Sequence, residues 1–85
     1  MRYKVIQSRN GNEGEQVGPT TRRFNGAVHV MDAQVEDCAQ NLRGKALRGE
    51  RVVVGPTTQG EHGPQRVYLV ARDFTFFVEY RIERA

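Results

Sequence analysis

Apolar positions in this chain fall into short alternating runs, broken once by a stretch of longer period. Tyr3, Lys4, Val5, Ile6 and Gln7 set aromatic and β-branched residues among charged ones, which predicts an opening strand. Asn10-Gly11-Asn12-Glu13-Gly14-Glu15 consists of turn formers and acids and reads as a loop. Phe24, Gly26, Val28 and Val30 then alternate with Asn25, Ala27 and His29, so a second strand is expected at about Phe24–Val30. Beyond that point the period changes. Val35, Cys38, Ala39, Leu42 and Ala46 recur at helical spacing, with Leu47 beside them, and predict one helix over about Ala33–Arg48. Asp32 suits its N-cap, Glu36 and Asp37 its positive end, Arg43, Lys45 and Arg48 its negative end, and Gly49 its stop.

After the helix, strands are expected at Arg51–Gly55, Arg66–Ala71 and Phe74–Ile82, with Pro56–Gln65 as a loop and Arg72-Asp73 as a tight connection. In the last strand Phe74, Phe76, Val78, Tyr80 and Ile82 share one face, while Thr75, Phe77, Glu79 and Arg81 share the other. A half-buried strand of that kind belongs to an antiparallel sheet. The expected fold is α+β: a single antiparallel sheet of four or five strands, one helix on one face, in the order β-β-α-β-β-β. Residues 1–85 make one domain, since a chain of 85 residues has no room for a second core.

The pentapeptide Val-Gly-Pro-Thr-Thr occurs twice, at Val17–Thr21 and Val54–Thr58. Gly before Pro fixes a bend, and threonine hydroxyls can bond to nearby backbone before the chain extends again. Two related strand–loop–strand units are therefore expected, with the loops as reused turns. As a functional alternative, paired loops of this kind could present hydroxyls and N–H groups to a phosphate. No Lys follows at the spacing of a phosphate-binding loop, which disfavours nucleotide binding.

Composition narrows the classes. The longest apolar run is Val67–Ala71, too short to span a bilayer. Met1-Arg2-Tyr3-Lys4-Val5 lacks the apolar core of a secretory signal, and a single cysteine, Cys38, permits no intrachain disulfide, so a cytoplasmic setting is expected. Cys38 on the helix stripe reads as a small hydrophobe. Neither His29 nor His62 has a local nucleophile, orienting group or third metal ligand, and no cofactor, metal or catalytic residue is expected. A net charge of +3 favours anionic partners without naming one.

Two surfaces remain as candidates. Arg22 and Arg23 precede the expected second strand, while Arg43, Lys45, Arg48 and Arg51 surround the expected helix end. If those ends share an edge, the six form a positive rim able to grip phosphates or carboxylates. Phe77 and Arg81, with Arg66, Tyr68 and Glu79 nearby, occupy the sheet face opposite the expected core, where aromatic and arginine side chains anchor interfaces or stack on bases.

The layout resembles small phage-encoded inhibitors of bacterial defence, the anti-CRISPR proteins of α+β type. The resemblance lies in Tyr3-Lys4-Val5-Ile6, the polar loop Asn10–Glu15, Val30-Met31-Asp32-Ala33 feeding a helix with Cys38-Ala39 inside, and the short strands from Arg51 to Ile82. It implies binding without catalysis, by blockade of a nucleoprotein complex. The function expected is thus a small non-enzymatic binding protein on a protein or nucleoprotein surface. The alternatives are a nucleic-acid-binding module using the basic rim and a homodimeric structural module.

Overall fold

The computed structural model describes residues 1–11, 13–45, 51–55, 58–60, 63–71 and 76–85, with side chains for all of these except 58–60, 63–71 and 76. Its elements are β1 (Tyr3–Arg9), β2 (Glu15–Thr21), α1 (Phe24–Lys45), β3 (Val52–Val54), β4 (Thr58–Gly60), β5 (Gly63–Ala71) and β6 (Phe76–Arg84). The fold is α+β, with one helix and an antiparallel sheet ordered β2-β1-β6-β5-β3, while β4 pairs separately with β5. The first and last strands lie side by side at its centre.

Three differences from expectation have physical causes. The segment 24–30 is helical rather than a strand, and α1 begins nine residues before the expected Ala33. Phe24, Val28 and Val30 fit an alternating strand, but Ala27 breaks that pattern and completes a helical one. Phe24, Ala27, Met31, Val35, Cys38 and Ala39 line the buried side of one long rod, with Ala27, Met31 and Ala39 fully buried. Asp32 is consequently an exposed residue in mid-helix and caps nothing. The first helical bond instead runs from the Ala27 amide to the Arg23 carbonyl, 3.3 Å, and that carbonyl also accepts the Thr21 hydroxyl at 2.9 Å.

The second strand is β2, in a segment expected to be loop. The third difference is β4, which lies inside the expected loop Pro56–Gln65, so the described residues hold six strands where four or five were expected. The expected connection Arg72-Asp73, the start of the last strand at Phe74, the helix end at Arg48 and the stop at Gly49 lie outside the described residues.

The described residues of both pentapeptides lie on sheet edges. Val17 pairs with Val5 and Thr21 with Tyr3, so three residues of β2 (Gly18, Pro19, Thr20) oppose only Lys4. The excess is a bulge at an edge, a position where Pro removes no ladder bond that the sheet needs. Gly18 has φ 73°, and a Cβ there would stand 2.6 Å from Val30 Cγ1 of α1, so only glycine lets the helix come down on the bulge. Gln16 holds it from below, its amide donating to Thr20 Oγ1 at 2.9 Å.

At the other edge Val54 pairs with Leu69 and Thr58 with Arg66. The first copy follows its partner strand in the chain, whereas the second precedes it. The copies are therefore not two equivalent strand–loop–strand units.

α1 packs on one face of the sheet, burying Val5, Val78, Tyr80 and Ile82 against Ala27, Met31 and Ala39. Tyr3 meets Phe24 edge-on at 5.5 Å near the helix start. Val78, Tyr80 and Ile82 face the helix, and Phe77, Glu79 and Arg81 face away, as their alternation predicts.

Candidate functional site

The expected basic rim is not assembled. Arg22 and Arg23 directly precede α1, while Arg43 and Lys45 sit in its last turn. With a rise of about 1.5 Å per residue, a 22-residue helix holds the two groups about 30 Å apart. The error in the rim follows from the error in the helix start. Arg51 precedes β3, at the end of the sheet that also carries Arg9, and Arg48 lies outside the described residues. The cations thus form two groups: Arg22 and Arg23 near Arg84 at one end, and Arg9, Arg43, Lys45 and Arg51 toward the other.

The Phe77/Arg81 face is assembled by the register. Lys4 stands opposite Glu83, Ile6 opposite Arg81, and Ser8 opposite Glu79. On the far side of β6 the backbone sets Arg66 opposite Arg81, Tyr68 opposite Glu79 and Val70 opposite Phe77. One strand further out, Val53 is opposite Val70.

Arg81 organises the middle of this face. Its Nε donates to Glu83 Oε1 at 2.7 Å, and its Nη1 reaches Ser8 Oγ at 3.0 Å and Glu79 Oε1 at 3.4 Å. The hydrogen bond to Glu83 holds the guanidinium proton more firmly than usual, partly offset by desolvation. Beneath the cluster Ile6 is 6% exposed and Ser8 is 4% exposed. Gly14 presses in beside them, since a Cβ there would lie 2.0 Å from Ile6 Cγ2.

Phe77, half-buried, is tied to the β1–β2 hairpin at both backbone groups. Its amide donates to Asn10 Oδ1 at 3.0 Å and its carbonyl accepts the Asn10 amide at 2.9 Å. Asn10 itself has φ 50°, a left-handed conformation that asparagine tolerates. The result is a face on which the Phe77 backbone and the Arg81 guanidinium are held in place before any partner arrives.

Sequence reasoning found Phe77, Glu79 and Arg81, but not Lys4, Ser8, Glu83 or Val53. A signal was available within β6, where Glu79, Arg81 and Glu83 alternate with Tyr80 and Ile82. Nothing in the sequence announces that β1 neighbours β6.

A crevice of about 290 Å³ opens on the other side of the sheet, between α1 and the strand ends. Its walls include Gln7, Arg9, Gln34, Asp37, Lys45 and Tyr80. Inside it the Gln7 amide donates to the Tyr80 hydroxyl. Burial pushes the Tyr80 phenol well above its ordinary pKa, and Cys38 beside it pushes the same way, against a smaller opposing effect of the Gln7 bond. The phenol is therefore neutral at physiological pH and serves as a fixed hydrogen-bonding group within the core. Cys38 is half-buried, as its place on the stripe predicts. His29 is exposed on α1, and His62 lies outside the described residues.

Among the described residues, no group of three His, Cys, Asp or Glu side chains could hold a metal ion, and no helix is long and apolar enough to cross a membrane. No family model matches the chain, and no curated protein or solved structure matches it either.

Proposed function

We propose that this chain is a small non-enzymatic binding protein that docks on a protein surface through the sheet face opposite α1. The reading rests on one arrangement: Phe77 and the tied Arg81 stand on the same face of β6, one on each side of Glu79, on the side of the sheet away from α1. Aromatic and arginine residues supply most anchors of protein interfaces, and side chains fixed in advance lose little freedom on binding.

Charge favours protein over nucleic acid. Lys4, Arg66 and Arg81 share this face with Glu79 and Glu83, so its charge is nearly balanced and two carboxylates stand among the cations. A phage-type inhibitor acting by surface blockade is a narrower form of the same reading.

The test is capture from a lysate of the source cells. The wild type and an Arg43→Glu/Lys45→Glu variant are expected to retain the same partner, and a Phe77→Ser variant to lose it while keeping wild-type circular dichroism. Retention by the folded Phe77→Ser variant sinks the reading. So does strong binding to single-stranded nucleic acid that weakens steeply with salt, which would favour the nucleic-acid module instead.

A further inference from the structure

We propose that β3 is a self-association edge, pairing antiparallel with β3 of a second copy about a twofold axis at Val53. β3 ends the strand order β2-β1-β6-β5-β3, so among the described residues no strand pairs with its outer side. A free row of N–H and C=O groups is a template for another strand. Val53 is 49% exposed and Val54 43% exposed, apolar residues left open on successive positions of this edge. Adjacent positions in a strand point to opposite faces, so both sides of the edge present a valine. No charged residue interrupts Val52-Val53-Val54, and a charge is the usual device that blocks such an edge.

The opposite edge is built the other way. β2 carries the Gly18-Pro19 bulge, with Glu15 and Gln16 exposed at its start, and cannot offer an unbroken ladder. Only one edge of the described sheet is therefore open to a partner strand.

The occupant that fits is another copy of this chain. Centred on Val53, antiparallel pairing sets Val53 against Val53 of the partner copy and Val52 against Val54. It sets Arg51 against Gly55, so no like charges meet along the ladder. A heterologous strand would have to match a bare three-valine edge by chance, whereas the twofold arrangement is complementary to itself. The ladder is short, and the dimer is accordingly a reversible, concentration-dependent one. It would place the two uncovered sheet faces side by side as one continuous surface.

Sedimentation velocity of the purified chain, from micromolar to millimolar concentration, reads this without any partner protein, so its outcome is separate from that of the docking reading. The wild type is expected to shift from monomer toward dimer. Val53→Lys should remain monomeric throughout, and Thr20→Lys on the opposite edge should behave as the wild type. A wild type that stays monomeric at millimolar concentration overturns the proposal, as does a Val53→Lys chain that dimerises normally. Amide shifts on dilution of the wild type give a check that needs no variant. They should cluster at Val52–Val54, and a cluster elsewhere assigns the contact to another surface.

Discussion

The two edges of the sheet carry the same five residues and use them differently. At β2 the sequence Val17–Thr21 stays attached to one neighbour throughout, bulging outward by two residues relative to β1. At the far edge Val54–Thr58 joins two separate short strands, β3 and β4, that share β5 as a partner. What differs is the cover. α1 closes on the first copy, with Val30 against Gly18, and Gln16 braces it from the same strand. At the far edge α1 still reaches β3, but among the described residues β4 is not one of the elements it packs against. Whether the same five residues form a bulge within one strand or link two short strands is decided by tertiary packing, in line with the weak hold of local preference over strands.

The largest way to break this comparison is to remove the fit between helix and bulge. Gly18→Ala puts a Cβ on a residue with φ 73° and drives it to within 2.6 Å of Val30 Cγ1. Left-handed strain and forced movement of a packed helix together should cost about 2–3 kcal/mol. Urea unfolding would show this as a lowered midpoint with an unchanged slope. A loss below about 0.5 kcal/mol would mean that the helix does not seal this edge.

Much of the central architecture was legible in the sequence, for a reason that particular residues illustrate. β1 is buried on both faces from Val5 to Ser8 and is legible from its β-branched and aromatic residues instead of from alternation. Val78–Ile82 alternates cleanly because one face meets α1, and burial on one face is what alternation records. Val35, Cys38 and Ala39 announced the helix for the same reason. The helix start was hidden, because Phe24, Val28 and Val30 satisfy both a period of two and a period near 3.6. Only Ala27 and Met31 decide between them, and small or flexible residues carry little directional signal. β2 was hidden because Gln16, Gly18, Pro19 and Thr20 are exposed, so a strand on this edge leaves almost no apolar trace. The Arg81 cluster was half legible: its carboxylates lie two residues either side in the same strand, but its contact with Ser8 spans 73 positions.

A smaller effect is expected at the centre, between the two edges. Tyr80→Phe removes the hydroxyl that accepts the Gln7 amide, leaving a buried donor without that partner. A cost of about 1–2 kcal/mol follows. Because β6 lies between both edges, amide exchange should accelerate alike in β2 and β3. Acceleration at one edge alone would mean that the sheet does not unfold as a unit.

The same residue gives a pH test. The folded phenol has a raised pKa, so its contribution is fully present below the unfolded value of about 10. It is lost as pH rises beyond that toward the folded value. Wild-type stability should therefore fall above about pH 10 more steeply than that of Tyr80→Phe. Ultraviolet titration should show one of the three tyrosines resisting ionisation until the chain unfolds. Three tyrosines titrating together near their ordinary value would contradict the buried phenol.

The finest test substitutes the first residue of each pentapeptide in turn. Val17 packs partly against the core beside β1, whereas Val54 is 43% exposed at the open edge. Thr has the shape of Val but brings a hydroxyl, which costs free energy where the side chain is shielded from water and little where it is not. Val17→Thr should lower stability by about 1 kcal/mol, and Val54→Thr by less than about 0.5 kcal/mol. The two substitutions are chemically identical, and glycine follows in both, although Gln16 precedes the first and Val53 the second. Any difference between them measures the cover supplied by α1 and β1 directly. Equal losses at the two sites would place the second edge under similar cover, and the contrast between a sealed edge and an open one would no longer stand.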